Sequence, residues 1–156
     1  MQIVSYASPR DLWINLRKTN SQLRRCVDQH FTDSIISELS LVLAFGLPCY
    51  DARNPLRGKA VFYPAEIKSA DPDRVTFSMA AVEPAHYEDQ FLVRWDRLRE
   101  SSCGSLPSSL EWSMCLNGRT SAVRVKNPET AAQVERTMEG SIVSFEWRHT
   151  LGSYFE

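Results

Sequence analysis

The sequence predicts an α+β domain: N-terminal helices, two antiparallel strand pairs each followed by a helix, and a C-terminal strand. Three observations predict it. Asn117-Gly118 lies between two alternating runs in Leu110–Lys126, the strongest short-range hairpin signal. Lys59–Lys68 and Arg74–Val82 also alternate, across a link, Ser69–Asp73, rich in turn formers. Residues 8–28 instead carry apolar side chains at helical spacing.

Ser8 is placed to cap the first helix and Pro9 to occupy its first position. Leu12, Leu16, Leu23 and Val27 fall on one side of a continuous helix. Arg10, Arg17 and Arg24, seven residues apart, fall on the other with Lys18 and Arg25 beside them, diluted only by Asp11 and Asp28. A second helix is expected over Asp33–Phe45, capped by Asp33 and stopped by Gly46 and Pro48. It is apolar around most of its circumference (Ile35, Ile36, Leu39, Leu41, Val42, Leu43, Phe45), which fits a core helix or a dimer seam, the core being preferred.

After a connecting loop over 49–58 comes the first strand pair, with Val61, Tyr63, Ala65 and Ile67 alternating on one strand and Val75, Phe77, Met79 and Ala81 on the other. Pro64 has no N–H to give, so its strand is expected at a sheet edge or bulged. Glu83–Arg99 reads as a third helix. Its acids lie early and its arginines late, as the helix dipole prefers, and Phe91, Leu92, Trp95 and Leu98 form its buried side. Residues 101–109, SSCGSLPSS, read as a flexible loop.

In the Asn-Gly hairpin a two-residue turn sets Leu116 opposite Arg119, Met114 opposite Ser121, Trp112 opposite Val123 and Leu110 opposite Val125. One face is then apolar and the other mostly polar. Asn127 and Pro128 are expected to open a helix reaching Met138, with Gly140 as its stop, before a last strand over Ile142–His149.

At 156 residues and 43% apolar composition the chain reads as one soluble domain, and its net charge of −1 supplies no global field for nucleic acid. Four cysteines lack metal-ligand spacing, and the N-terminus lacks the pattern of an export signal, so reduced thiols and a cytoplasmic location are expected. No run is long enough to span a bilayer. No phosphate-cradling glycine motif and no metal-binding motif is present, and no cofactor is expected. Residues 1–68 hold nine basic and six acidic groups, and residues 69–156 hold nine and thirteen. The element order resembles that of small dimeric bacterial secretion chaperones, in order alone and without a motif, and assigns no family.

Function rests on the basic stripe. Arg10, Arg17, Lys18, Arg24 and Arg25 make a ridge suited to an acidic protein surface, since guanidinium groups bind carboxylates in pairs of hydrogen bonds. The expectation is a non-catalytic interaction module, self-associating, that binds an acidic partner through this ridge. One alternative is a small enzyme whose site gathers His86, Glu88, Cys103 and His149. The adjacent run His86-Tyr87-Glu88-Asp89 also reads as the polar first turn of a helix, and Cys103 as an ordinary loop thiol. A third reading is nucleic-acid binding by the N-terminal helix, which would want aromatic platforms among the basic groups.

Overall fold

The computed structural model describes residues 7–47, 57–65, 71–101, 103, 105–107, 109–130 and 141–155. It is α+β, with a single seven-stranded antiparallel sheet. The strands are Ser40–Gly46 (β1), Arg57–Pro64 (β2), Arg74–Glu83 (β3), Trp112–Leu116 (β4), Arg119–Val123 (β5), Glu129–Thr130 (β6) and Ile142–Glu146 (β7). Their order across the sheet is β5-β4-β1-β2-β3-β7-β6.

The hairpin register is the one its turn dictates: Leu116 opposite Arg119, Met114 opposite Ser121 and Trp112 opposite Val123. Asn117 (φ 50°) and Gly118 (φ 75°) both take the left-handed conformation that a type I′ turn requires. Trp112, Met114, Leu116 and Val123 are buried, while Thr120 and Ala122 on the other face are exposed. The first expected pair also forms, as β2 and β3, and in the described part of its link Asp71 accepts from the Asp73 amide at 2.8 Å.

Buried strand residues share one face: Leu41 and Leu43, Ala60 and Phe62, Phe77 and Met79, Val143 and Phe145. The helices supply the second half of a single core. Leu12, Trp13, Val27, Phe31, Ile35 and Ile36 come from the N-terminal helices, Phe91, Leu92 and Trp95 from the third, and Trp147, Leu151 and Phe155 from the last. Phe62 meets Trp95 at 5.6 Å and Phe45 meets Phe91 at 4.6 Å between ring centroids. Each such side chain taken from water contributes about 1.5–3 kcal/mol before the entropy of ordering it.

Several expectations are corrected. Residues 40–46 form a strand, not the end of a helix, because β2 and β4 pair with both of its edges. The N-terminal helical part therefore stops at Glu38. Ile35, Ile36, Leu39, Leu41 and Leu43 are buried within this one chain, so their apolar density requires no second copy. β2 is a central strand rather than an edge. Its pairing with β3 shifts between Val61 and Phe62, where Ala80 of β3 is the extra residue, and Pro64 lies beyond its last partner on β1, where the missing N–H breaks no ladder bond.

Asn127 does not cap a helix. At φ 47° it turns the chain, its side chain donates to Glu146 at 2.5 Å, and Glu129 and Thr130 pair with β7 instead. The rest of the helix expected there, residues 131–138, lies outside the described residues, as do most of the 49–58 loop and residues 66–70. The C-terminal strand ends at Glu146, and Trp147–Phe155 is a helix that carries Trp147 and His149 with it. Loop 101–109 is anchored in part: Leu106 is buried, and its amide donates to Pro128 O at 2.8 Å.

Candidate basic cleft

The N-terminal helix begins as its sequence dictates, with Ser8 accepting from the Asp11 amide and Pro9 in the first turn. It does not run unbroken to His30. Residues 12–16 form a π turn, which adds a residue to the turn and rotates Arg17 away from the line of Arg10. Asn20 is extended (φ −158°, ψ 170°) and caps a second helix, Ser21–His30, through the Leu23 amide. The single basic ridge is thereby divided. Arg10 lines a hollow of about 630 Å³ with Arg119 and Tyr154, where burial holds the Tyr154 phenol above its ordinary value of 10.0. Arg24 and Arg25 stand exposed on the second helix and line neither of the two hollows.

Arg17 and Lys18 line a different hollow, of about 380 Å³, together with Arg124 from the end of the hairpin and Arg148 and His149 from the last helix. Trp13, Ile14, Gly152, Ser153 and Phe155 line it too, and among the described residues no carboxylate does. Below lies an aromatic cluster: Trp13 contacts Phe31 at 5.0 Å, Trp147 at 6.0 Å and Phe155 at 6.1 Å. The Arg17 guanidinium lies 4.4 Å over the Trp13 ring and that of Arg148 4.5 Å over Trp147. Such stacking contributes about 0.5–2 kcal/mol each and fixes where the charges stand.

Asp28 is the pin. Its two oxygens accept from Arg17 Nε at 2.6 Å and Arg148 Nε at 2.9 Å, tying the second helix to the first and to the last. Arg148 also pairs with Asp73. Because Arg17 is held through Nε, its terminal nitrogens make no hydrogen bond among the described residues. Lys18 and Arg124 have no charged partner among them either. The ridge was thus partly legible: Arg17 and Lys18 belong to the cleft, one of them turned onto an internal carboxylate. Arg124 and Arg148 were missed. Trp147, Leu151 and Phe155, spaced by four, were the available signal that residues 147–155 form a helix and turn Arg148 toward the N-terminal arm.

The residues of the enzyme alternative do not form one site. His86 is exposed and its ring lies tilted against Tyr87, centroids 4.2 Å apart, just before the third helix, Glu88–Ser101, which Glu88 opens. Cys103 lies past the other end of that helix, whose fourteen residues span about 21 Å. His149 lines the basic cleft without the other three. Among the described residues no three His, Cys, Asp or Glu side chains converge as metal ligands, and no helix is long and apolar enough to cross a membrane. No family model, curated protein or solved structure matches the chain.

Proposed function

We propose that the protein is a non-catalytic interaction module that binds an acidic protein surface in the cleft between its first and last helices. The observation that carries this reading is the convergence of Arg17, Lys18, Arg124 and Arg148 on one hollow that no carboxylate among the described residues lines. Fixed guanidinium groups over aromatic rings are already ordered, so a partner's carboxylates meet them at a reduced entropy cost. Trp13 favours a protein over single-stranded nucleic acid. Its ring is 6% exposed and capped by Arg17, so it offers no face for a base to stack on.

Charge reversal at Arg17 would also break its bond to Asp28, so Lys18 and Arg124 are the cleaner probes. The Lys18→Glu/Arg124→Glu double variant should keep the wild-type melting temperature. Its binding of fluorescent poly-glutamate at low salt, followed by anisotropy, should weaken about tenfold or more, since each lost charge–charge contact near a surface contributes about 1 kcal/mol or less in isolation and more in a cluster. Unchanged binding would refute the assignment to this cleft. Tighter binding of random oligonucleotides than of poly-glutamate would favour the nucleic-acid reading.

A further inference from the structure

We propose that the outer edge of β5 takes up an extended acidic segment of a partner protein as an added strand, one end of which borders the basic cleft. The inference rests on the acidic-partner reading for the partner's charge, but not for the way the partner is held.

Among the described residues β5 ends the sheet and pairs only with β4. In a two-residue hairpin the closing pair, here Leu116 and Arg119, exchanges both hydrogen bonds, and so does every second pair after it. The intervening residues, Thr120 and Ala122, therefore turn their N–H and C=O groups away from β4. The next residue of that parity shows the same direction: the Arg124 amide donates outward to Ser153 Oγ on the last helix at 3.0 Å. The outward groups of Thr120 and Ala122 have no such partner among the described residues, and both residues are exposed.

The opposite edge of the sheet differs. β6 is two residues long and is itself covered by a bridge from Ser105 to Glu129. Sheets blunt free edges with proline, bulges, short strands, charges or a covering helix or loop; β5 has an arginine at its start and another just past its end, and the last helix beside both, while Thr120 and Ala122 between them are exposed and uncovered among the described residues. Main-chain hydrogen bonds along such an edge are a general means of holding an extended peptide.

Charge selects the occupant. The strip Arg119–Arg124 reads RTSAVR, with two guanidinium groups and no carboxylate. A second copy pairing here would align four guanidinium groups along one seam, and that like-charge repulsion disfavours self-association by this edge. An acidic strand meets the opposite situation. A hollow of about 400 Å³ lined by Ala122, Val123, Arg124 and Ser153 lies beside the edge, and Arg124 and Ser153 also line the basic cleft. A segment added to β5 at Thr120 and Ala122 ends beside Arg124 and Ser153, which border the cleft.

The test uses the full chain and a labelled ten-residue peptide of alternating glutamate and valine, beside the same peptide N-methylated at every peptide nitrogen, so that neither of its edges can donate. Charge is equal in the two, but the second cannot complete a strand ladder. The expected results are at least about tenfold weaker binding of the methylated peptide and slowed amide hydrogen exchange at Thr120 and Ala122 on binding the first. Ala122→Pro, which removes an outward N–H, should weaken the first peptide to the level of the second. Equal binding of both peptides, with no added protection at Thr120 and Ala122, would overturn strand addition and leave the acidic-cleft reading standing. Binding of neither at low salt would overturn both.

Discussion

Asp28 is where the architecture and the proposed site are most directly coupled, and Asp28→Asn tests that coupling. The substitution keeps the side chain's shape and one acceptor oxygen but removes the charge that faces two guanidinium groups. Contacts of 2.6 and 2.9 Å to side chains only 23% and 32% exposed, from a carboxylate 15% exposed, place the cluster between two regimes. Fully exposed pairs contribute about 1 kcal/mol or less, and breaking a dry pair costs about 3–5 kcal/mol. A loss of roughly 2–3 kcal/mol follows, and for a chain of this length that lowers the melting temperature by about 4–12 °C. Differential scanning calorimetry at low and high ionic strength measures it. In the variant, added salt should recover part of the loss by screening the two cations. Adding Arg17→Met should recover part of it too, by removing the guanidinium left without a carboxylate, whereas Arg148 keeps Asp73. A melting temperature within about 1 °C of wild type would refute the view that Asp28 holds the first, second and last helices in register.

Gly118→Ala should destabilise by about 1–2 kcal/mol although nothing lies within 4 Å of the added methyl, because at φ 75° the cost is in the backbone itself; chemical denaturation that detects no loss would count against the type I′ turn. Trp112→Phe should stay within about 1 kcal/mol of wild type, since the lost ring volume is offset by removing a buried indole N–H that has no partner among the described residues, whereas a loss of 3 kcal/mol would mean that this N–H is bonded in solution. Glu146 is held below its ordinary value of 4.5, first by the Asn127 side chain and then by Lys126. Its folded value lies below its unfolded one, so it adds stability above pH 4.5 that is lost as pH falls through the folded value. Glu146→Gln should flatten the stability profile in that acidic window, and an unchanged slope there would remove the Asn127 contact from the account.

What was legible in the sequence was what local chemistry decides alone. Asn117-Gly118 forces both positive φ values and, through them, the register of ten residues. Ser8-Pro9 likewise starts a helix without help from elsewhere. The run Leu41–Phe45 was opaque because five consecutive apolar residues satisfy a helical and a strand period equally. Only the long-range neighbours β2 and β4 decide for the strand. The last helix was hidden by an alternation, Val143, Phe145, Trp147, that continues one residue past Glu146, where the strand ends. The cleft was half legible: the basic residues of the first helix are visible as a stripe, but Asn20 looks like one more polar residue until its side chain is seen capping the second helix. That break folds Asp28 back toward Arg17, eleven positions away, a pairing that no helical spacing encodes.

Gly58 sits directly across from Phe45, whose ring covers it so closely that a methyl group there would come within 2.5 Å of the ring carbons. The two positions therefore share one volume. In any related sequence a side chain at 58 should coincide with a smaller residue at 45, and an aromatic at 45 with glycine at 58. This paired exchange would let the fold be traced among sequences too divergent to align by eye.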